Sequence, residues 1–201
     1  MEKARTTPDI YPLTLNALQN ACNQKTSREP VMELEEDSIL EGLDGLREKG
    51  LVMRVDMAGS RTAKFRENVS KAWDLSPEEY ALLTVLLLRG PQTGGQLRSR
   101  TDRLHPFQSV PEVIDWLEKM GRRDEEIHQL VQNMGRPPGS KEARYGHLLC
   151  GPQAVEAIAE STELVVRPLT ASGKKLEELE QTVAELQERV TRLESLLQGL
   201  I

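Results

Sequence analysis

Ser76-Pro77-Glu78-Glu79-Tyr80-Ala81-Leu82-Leu83-Thr84-Val85-Leu86-Leu87-Leu88-Arg89-Gly90-Pro91-Gln92-Thr93-Gly94-Gly95-Gln96 spells out one helix with both of its ends and the start of the next. Ser at the N-cap, Pro at the first helical position and Glu at N3 form a capping box that satisfies amides a helix start leaves orphaned. From Tyr80 to Leu88 the residues are apolar on most sides, which predicts the buried central helix of its module. Arg89-Gly90-Pro91 ends it with a cation in the last turn, then Gly and Pro. Thr93-Gly94-Gly95-Gln96 opens a second capping box and a short helix to about Leu104, broken by His105-Pro106.

Downstream, a third helix is predicted from Val110 to Met120, with Val110, Val113, Ile114 and Leu117 on one face and Gly121 as its stop. Ile127 to Met134 and Ala143 to Leu149 read as two strands around the turn Arg136-Pro137-Pro138-Gly139. Three helices followed by a β-hairpin is the order of a winged helix-turn-helix. Upstream the order repeats. Leu15, Leu18 and Cys22 line a short helix capped by Thr14, and a helix from Glu35 to Lys49 aligns Ile39, Leu43 and Leu46 before Gly50. Leu51 to Met57 and Lys64 to Val69 then pair around the tip Ala58-Gly59-Ser60-Arg61. The shared element order carries the repeat, more than the matching ends Leu46-Arg47-Glu48-Lys49-Gly50 and Leu117-Glu118-Lys119-Met120-Gly121. Met1 to Ile10 is polar without an apolar period, so the first module is expected to lack its opening helix or to borrow packing.

After a mixed connector, Leu176, Leu179, Val183, Leu186, Val190, Leu193, Leu197 and Leu200 are spaced 3, 4, 3, 4, 3, 4, 3. That is a heptad seam with Leu or Val at a and Leu at every d. Lys175 against Glu180, and Arg189 against Glu194, would be g-to-e' pairs of a parallel homodimer. A helix packed on its own module is the plainer alternative. The expected fold is mainly α with small β-hairpins (α+β), divided into winged-helix modules at 1–73 and 74–150, a connector at 151–173 and a coiled coil at 174–201.

Composition sets outer limits. The chain has 201 residues, 38% apolar but 3% aromatic, so its cores must be aliphatic. With 32 acidic against 26 basic residues the net charge is −6, which argues mildly against a chain whose main task is gripping phosphates. Cys22 and Cys150 are too few and too separated for a disulfide framework. Met1-Glu2-Lys3-Ala4-Arg5 carries no apolar signal region, and Tyr80 to Leu88 is far short of the ~20 residues of a membrane span. A cytoplasmic location without membrane contact is expected.

A winged helix commonly places its third helix in the DNA major groove. In the first module that helix is hostile, with Glu33, Glu35, Glu36, Asp37, Glu41, Asp44 and Glu48 against only Arg47 and Lys49. In the second module Arg98, Arg100, Arg103, Arg136, Lys141 and Arg144, with Arg122 and Arg123 beside them, are candidates to follow a phosphate backbone. A solvated basic face balanced by Asp102, Glu112, Asp115, Glu118 and Asp124-Glu125-Glu126 is the plainer reading. The polar loop holding Asn23, Gln24, Lys25 and Arg28 could clamp an anion or a partner's backbone, or serve as an ordinary solvated loop. No nucleophile motif accompanies His105, His128 or His147, and His147 and Cys150, three apart on a strand, point to opposite faces. No enzyme activity, metal or cofactor is expected. Trp73 and Trp116 read as core or junction residues.

Thr7-Pro8-Asp9-Ile10-Tyr11-Pro12-Leu13-Thr14-Leu15-Asn16-Ala17-Leu18, the run Ala21 to Met32, and Leu86-Leu87-Leu88-Arg89-Gly90-Pro91-Gln92-Thr93 resemble the YceH-like family of bacterial proteins. The resemblance spans nearly the whole chain and implies tandem winged-helix domains, with no activity to carry over. It also implies a further apolar helix ending at a Glu-Lys such as Glu2-Lys3. The expectation is therefore a dimeric DNA-associated regulator working through its second module. The alternative is a protein-interaction scaffold whose acidic first module docks a partner.

Overall fold

The computed structural model describes residues 1–56, 62–123, 129–137 and 139–150, all within one compact unit, Met1–Ala159. The hairpin tip Ala58 to Arg61, the strand start at Ile127, the connector and the heptad seam lie outside the described residues. What is described is α+β, with short helices and two three-stranded antiparallel sheets.

The first half runs α1 (Glu2–Thr6), β1 (Leu13–Thr14), α2 (Leu15–Cys22), α3 (Glu36–Glu48), β2 (Val52–Val55) and β3 (Lys64–Glu67). After α4 (Val69–Ala72) the second half repeats the order: α5 (Pro77–Arg89), β4 (Gln92–Thr93), α6 (Gly94–Thr101), α7 (Val110–Gly121), β5 (Val131–Asn133) and β6 (Arg144–His147). The sheets are ordered β1-β3-β2 and β4-β6-β5, so the last strand is central in each.

Local chemistry explains most of the boundaries. Both capping boxes form: Ser76 accepts from the Glu79 amide and Thr93 from the Gln96 amide, each at 3.3 Å, and the N3 side chains bond back. Gly90 closes α5 at φ 65° and ψ −157°, a region open essentially to glycine alone. Gly94 lets α6 approach α7, because a Cβ there would stand 3.1 Å from Val110 Cγ1 and 3.3 Å from Ile114 Cγ1.

Several expected limits shift. The α6 helix stops at Thr101 rather than near Leu104, and its second-half hairpin strands are shorter than their apolar runs. β3 ends at Glu67 because the Glu67 carboxylate accepts from the Val69 and Ser70 amides at 2.8 and 3.4 Å, which starts α4. Two-residue strands β1 and β4, unforeseen, close each sheet through Leu13↔Phe65 and Gln92↔Tyr145. Residues 2–6 are helical despite lacking an apolar period.

The core is unevenly shared. In α5 every residue from Glu79 to Leu86 is buried, and Leu82, Leu83, Val85 and Leu86 pack with Leu97, Val113, Leu117, Met120, Val131 and Tyr145. Truncating one such Leu to Ala costs about 2–5 kcal/mol. Trp73 and Trp116 pack against this cluster half-buried. Among its described residues the first half buries only the apolar Leu13, Ile39, Leu43, Leu51 and Val69, each with a little residual exposure. It leans on α5 instead: Tyr80 donates to the Met1 carbonyl at 2.9 Å, Arg5 lies over the Tyr80 ring, and the Glu29 amide donates to the Leu88 carbonyl at 2.9 Å. The first half therefore borrows packing from the central helix of the second.

Candidate functional site

The loop between α2 and α3 is built into the fold. Asn23 brackets the Leu34 backbone, its Nδ2 donating to the carbonyl at 2.8 Å and its Oδ1 accepting from the amide at 2.7 Å. Arg28, with its side chain 8% exposed, donates to Glu2 Oε2 at 2.8 Å and to the Ala21 carbonyl at 2.7 Å. Gln24 accepts from Lys3 Nζ and donates to Thr26. Of the four loop candidates only Lys25 points freely outward. Its neighbours use their polar groups to hold the chain.

The six basic candidates of the second half do not form one surface. Residues two apart on a helix differ by about 200° in direction. Accordingly Arg98 reaches the Phe107 carbonyl at 3.3 Å, in the loop before α7, while Arg100 donates to the Gln92 side chain beside the end of α5. Arg144 donates to the Pro91 carbonyl at 3.2 Å, on the Arg100 side. Arg103, Arg136 and Lys141 are exposed, the last two at the β5–β6 hairpin. Arg122 is exposed and pairs with Glu118 at 3.0 Å. Arg123 is turned inward, held by Glu79 Oε2 at 3.0 Å and by the Trp73 and Asp74 carbonyls. The structure thus ties Arg100 and Arg144 to the same turn, through the Gln92 side chain and the Pro91 carbonyl, and adds Arg89, which feels the Arg100 charge and which the sequence presented only as a helix-end cation.

The third helices face solvent with carboxylates in both halves. On α3 and its approach Glu33, Glu35, Glu36, Asp37, Glu41, Asp44 and Glu48 are all exposed, and only Ile39 and Leu43 are buried. Leu46, aligned with them in sequence, stays 41% exposed because α3 outruns the small core beneath it, and Leu40 is 36% exposed. On α7 Asp115 and Glu118 are exposed beside Lys119, whose ammonium lies 4.2 Å from the Trp116 ring centroid. His147 lies on β6 with Nδ1 buried and without a hydrogen-bond partner among the described residues, and burial holds its pKa below the ordinary value. Cys150 is exposed beyond that strand.

These surfaces belong to an α+β protein of two like-ordered halves, each with a three-stranded sheet. The chain belongs to the family described as "Protein of unknown function, DUF480", whose model matches residues 1–140, and is YceH-like. It is 42% identical over 198 residues to the UPF0502 protein YceH of Escherichia fergusonii, covering 96% of this chain and 90% of that one. It is 42% identical over 198 residues to a UPF0502 protein of Delftia acidovorans, covering 98% and 84%. A UPF0502 protein of Vibrio atlanticus is 43% identical over 205 residues, covering 100% and 93%. No helix among the described residues is long and apolar enough to cross a membrane.

Proposed function

We propose that the chain is a non-enzymatic protein-docking module of the cytoplasm: two tandem winged helices, paired with a second copy through the heptad tail, that engage a partner protein with the first module. The winged-helix reading is supported by the repeated order of helix, strand, two helices and two strands, with the final strand central in each sheet. The docking reading is carried by one observation. α3, the helix that would enter a DNA groove, exposes Leu40 and Leu46 among a continuous set of carboxylates. Duplex DNA carries a negative charge about every 1.7 Å along its axis, so this face repels it and suits a basic, partly apolar protein surface. Gly42 and Gly45 add support: a Cβ at either would meet nothing within 4 Å among the described residues, yet glycine inside a helix costs about 1 kcal/mol against alanine. Close approach by a partner gives them a use.

The experiment is affinity capture from the native cell, with and without nuclease, comparing wild type with Leu40→Asp/Leu46→Asp. A partner protein that survives nuclease with wild type and is lost with the variant supports docking. Loss of every captured species on nuclease treatment counts against it.

The second reading, a DNA-associated regulator, is favoured by exposed Arg103, Arg136 and Lys141 together with Arg98, Arg100 and Arg144. It ranks below docking because α7 also faces outward with Asp115 and Glu118, and because Arg98 and Arg100 diverge.

A further inference from the structure

Three arginines border the turn between α5 and α6: Arg89 at the end of α5, Arg100 on α6 and Arg144 on β6. Gln92, 2% exposed, fixes the turn itself: its Nε2 donates to the Arg89 backbone carbonyl at 3.0 Å and the Pro91 carbonyl at 2.9 Å, and its Oε1 accepts from Arg100 Nη1. Arg144 donates to the same Pro91 carbonyl from β6, where its residue pairs with Thr93. Arg28 is brought alongside by the Glu29-to-Leu88 backbone bond, but Glu2 neutralises it. The other inward-turned arginine, Arg123, likewise holds a carboxylate. Among the described residues no carboxylate pairs with Arg89, Arg100 or Arg144. Burial lowers the Arg89 pKa, and the Arg100 charge lowers it further, with Arg28 adding to the repulsion and Glu29 and Glu2 opposing it. The Glu142 carboxylate faces Gly95, at the start of α6.

Partly buried charges are ordinarily paired, and guanidiniums match the oxygens of a phosphate by paired hydrogen bonds. We propose that Arg89, Arg100 and Arg144 bind a phosphate monoester or free phosphate as its dianion. A dianion offsets their mutual repulsion better than a carboxylate or a phosphodiester, each carrying one charge. The assignment does not rest on the docking role of α3.

The test is calorimetric titration and thermal unfolding of the full chain in phosphate-free buffer at fixed ionic strength, using inorganic phosphate, glycerol 3-phosphate, acetate and an unphosphorylated duplex oligonucleotide. Phosphate or its ester should bind and raise Tm, and binding should tighten from pH 6 to 8 as the second phosphate proton leaves while the arginines stay charged. Similar affinity for both probes assigns the free ion, and a tighter ester assigns a phosphorylated small molecule. Among the described residues Arg89 makes no side-chain bond, so Arg89→Gln should keep or raise Tm without ligand while affinity falls roughly tenfold. Arg100→Lys serves as a second variant with the same expected loss of affinity. Equal stabilisation by acetate, equal binding of the duplex, or an unchanged phosphate response in Arg89→Gln overturns the proposal.

Discussion

Arg123, just past the end of α7, reaches Glu79 in the first turn of α5 at 3.0 Å, with the two side chains 14% and 8% exposed. The same Glu79 oxygen accepts from the Ser76 amide, so a local capping box and a long-range ion pair share one atom. The α7 end is thereby fixed to the start of the central helix. Removing one partner of such a pair strands the other charge in a dry site. Arg123→Met should cost about 3 kcal/mol in urea unfolding, whereas Arg122→Met, at the exposed neighbour, should stay within about 0.5 kcal/mol. Equal effects at the two positions would refute the structural role of Arg123.

Stability should be graded along the chain. Every large side chain below 2% exposure among the described residues lies between Tyr80 and Val131. Local opening follows buried contact, so hydrogen exchange should be slow in residues 80–88 and faster in residues 13–50. Equal protection in the two segments would mean the first half has a source of stability other than its thin core and its contacts with α5.

What the sequence made legible was what depends on near neighbours. The capping boxes at Ser76 and Thr93 need only residues three apart, and their helices start where expected. β1 and β4 were hidden because two residues make a strand only when Phe65 or Tyr145, about fifty residues on, comes to pair with them. Arg122 and Arg123 are indistinguishable in sequence, and helix termination decides which one turns inward. Asn23 reads as solvated until Leu34 folds back upon it. Leu46 fits the apolar period of α3 but extends past the core. The surroundings of Arg89 depend on Gln92, whose side chain joins the backbone at the end of α5 to Arg100 of α6.

His147 gives a pH dependence with a defined sign. Its folded pKa is held below the ordinary 6.5 by burial. Below that pH the unfolded chain binds the proton more readily than the folded one, so stability is full above about 6.5 and declines as pH falls toward the folded value. Unfolding of wild type and His147→Gln at pH 7.5 and 5.5 should show the smaller loss in the variant. Parallel losses would remove His147 as the cause.

Pairing through the heptad tail is tested by Leu186→Lys, which puts a charge at a central d position. Sedimentation equilibrium should show dimers for wild type and monomers for the variant. A wild type that is monomeric at about tens of micromolar would remove the tail as a pairing device.

On the proposed reading α3 and α7 are turned to protein rather than DNA, and duplex binding at low salt tests that most directly. Electrostatic attraction is greatest there, since screening is weak. Wild type should show no saturable binding of a generic duplex in fluorescence anisotropy at about 50 mM salt, the low end of the range over which phosphate contacts weaken. Saturable binding that weakens with salt, and whose salt slope flattens by about one unit per lost contact in Arg100→Glu/Arg103→Glu, would contradict it and restore the regulator reading.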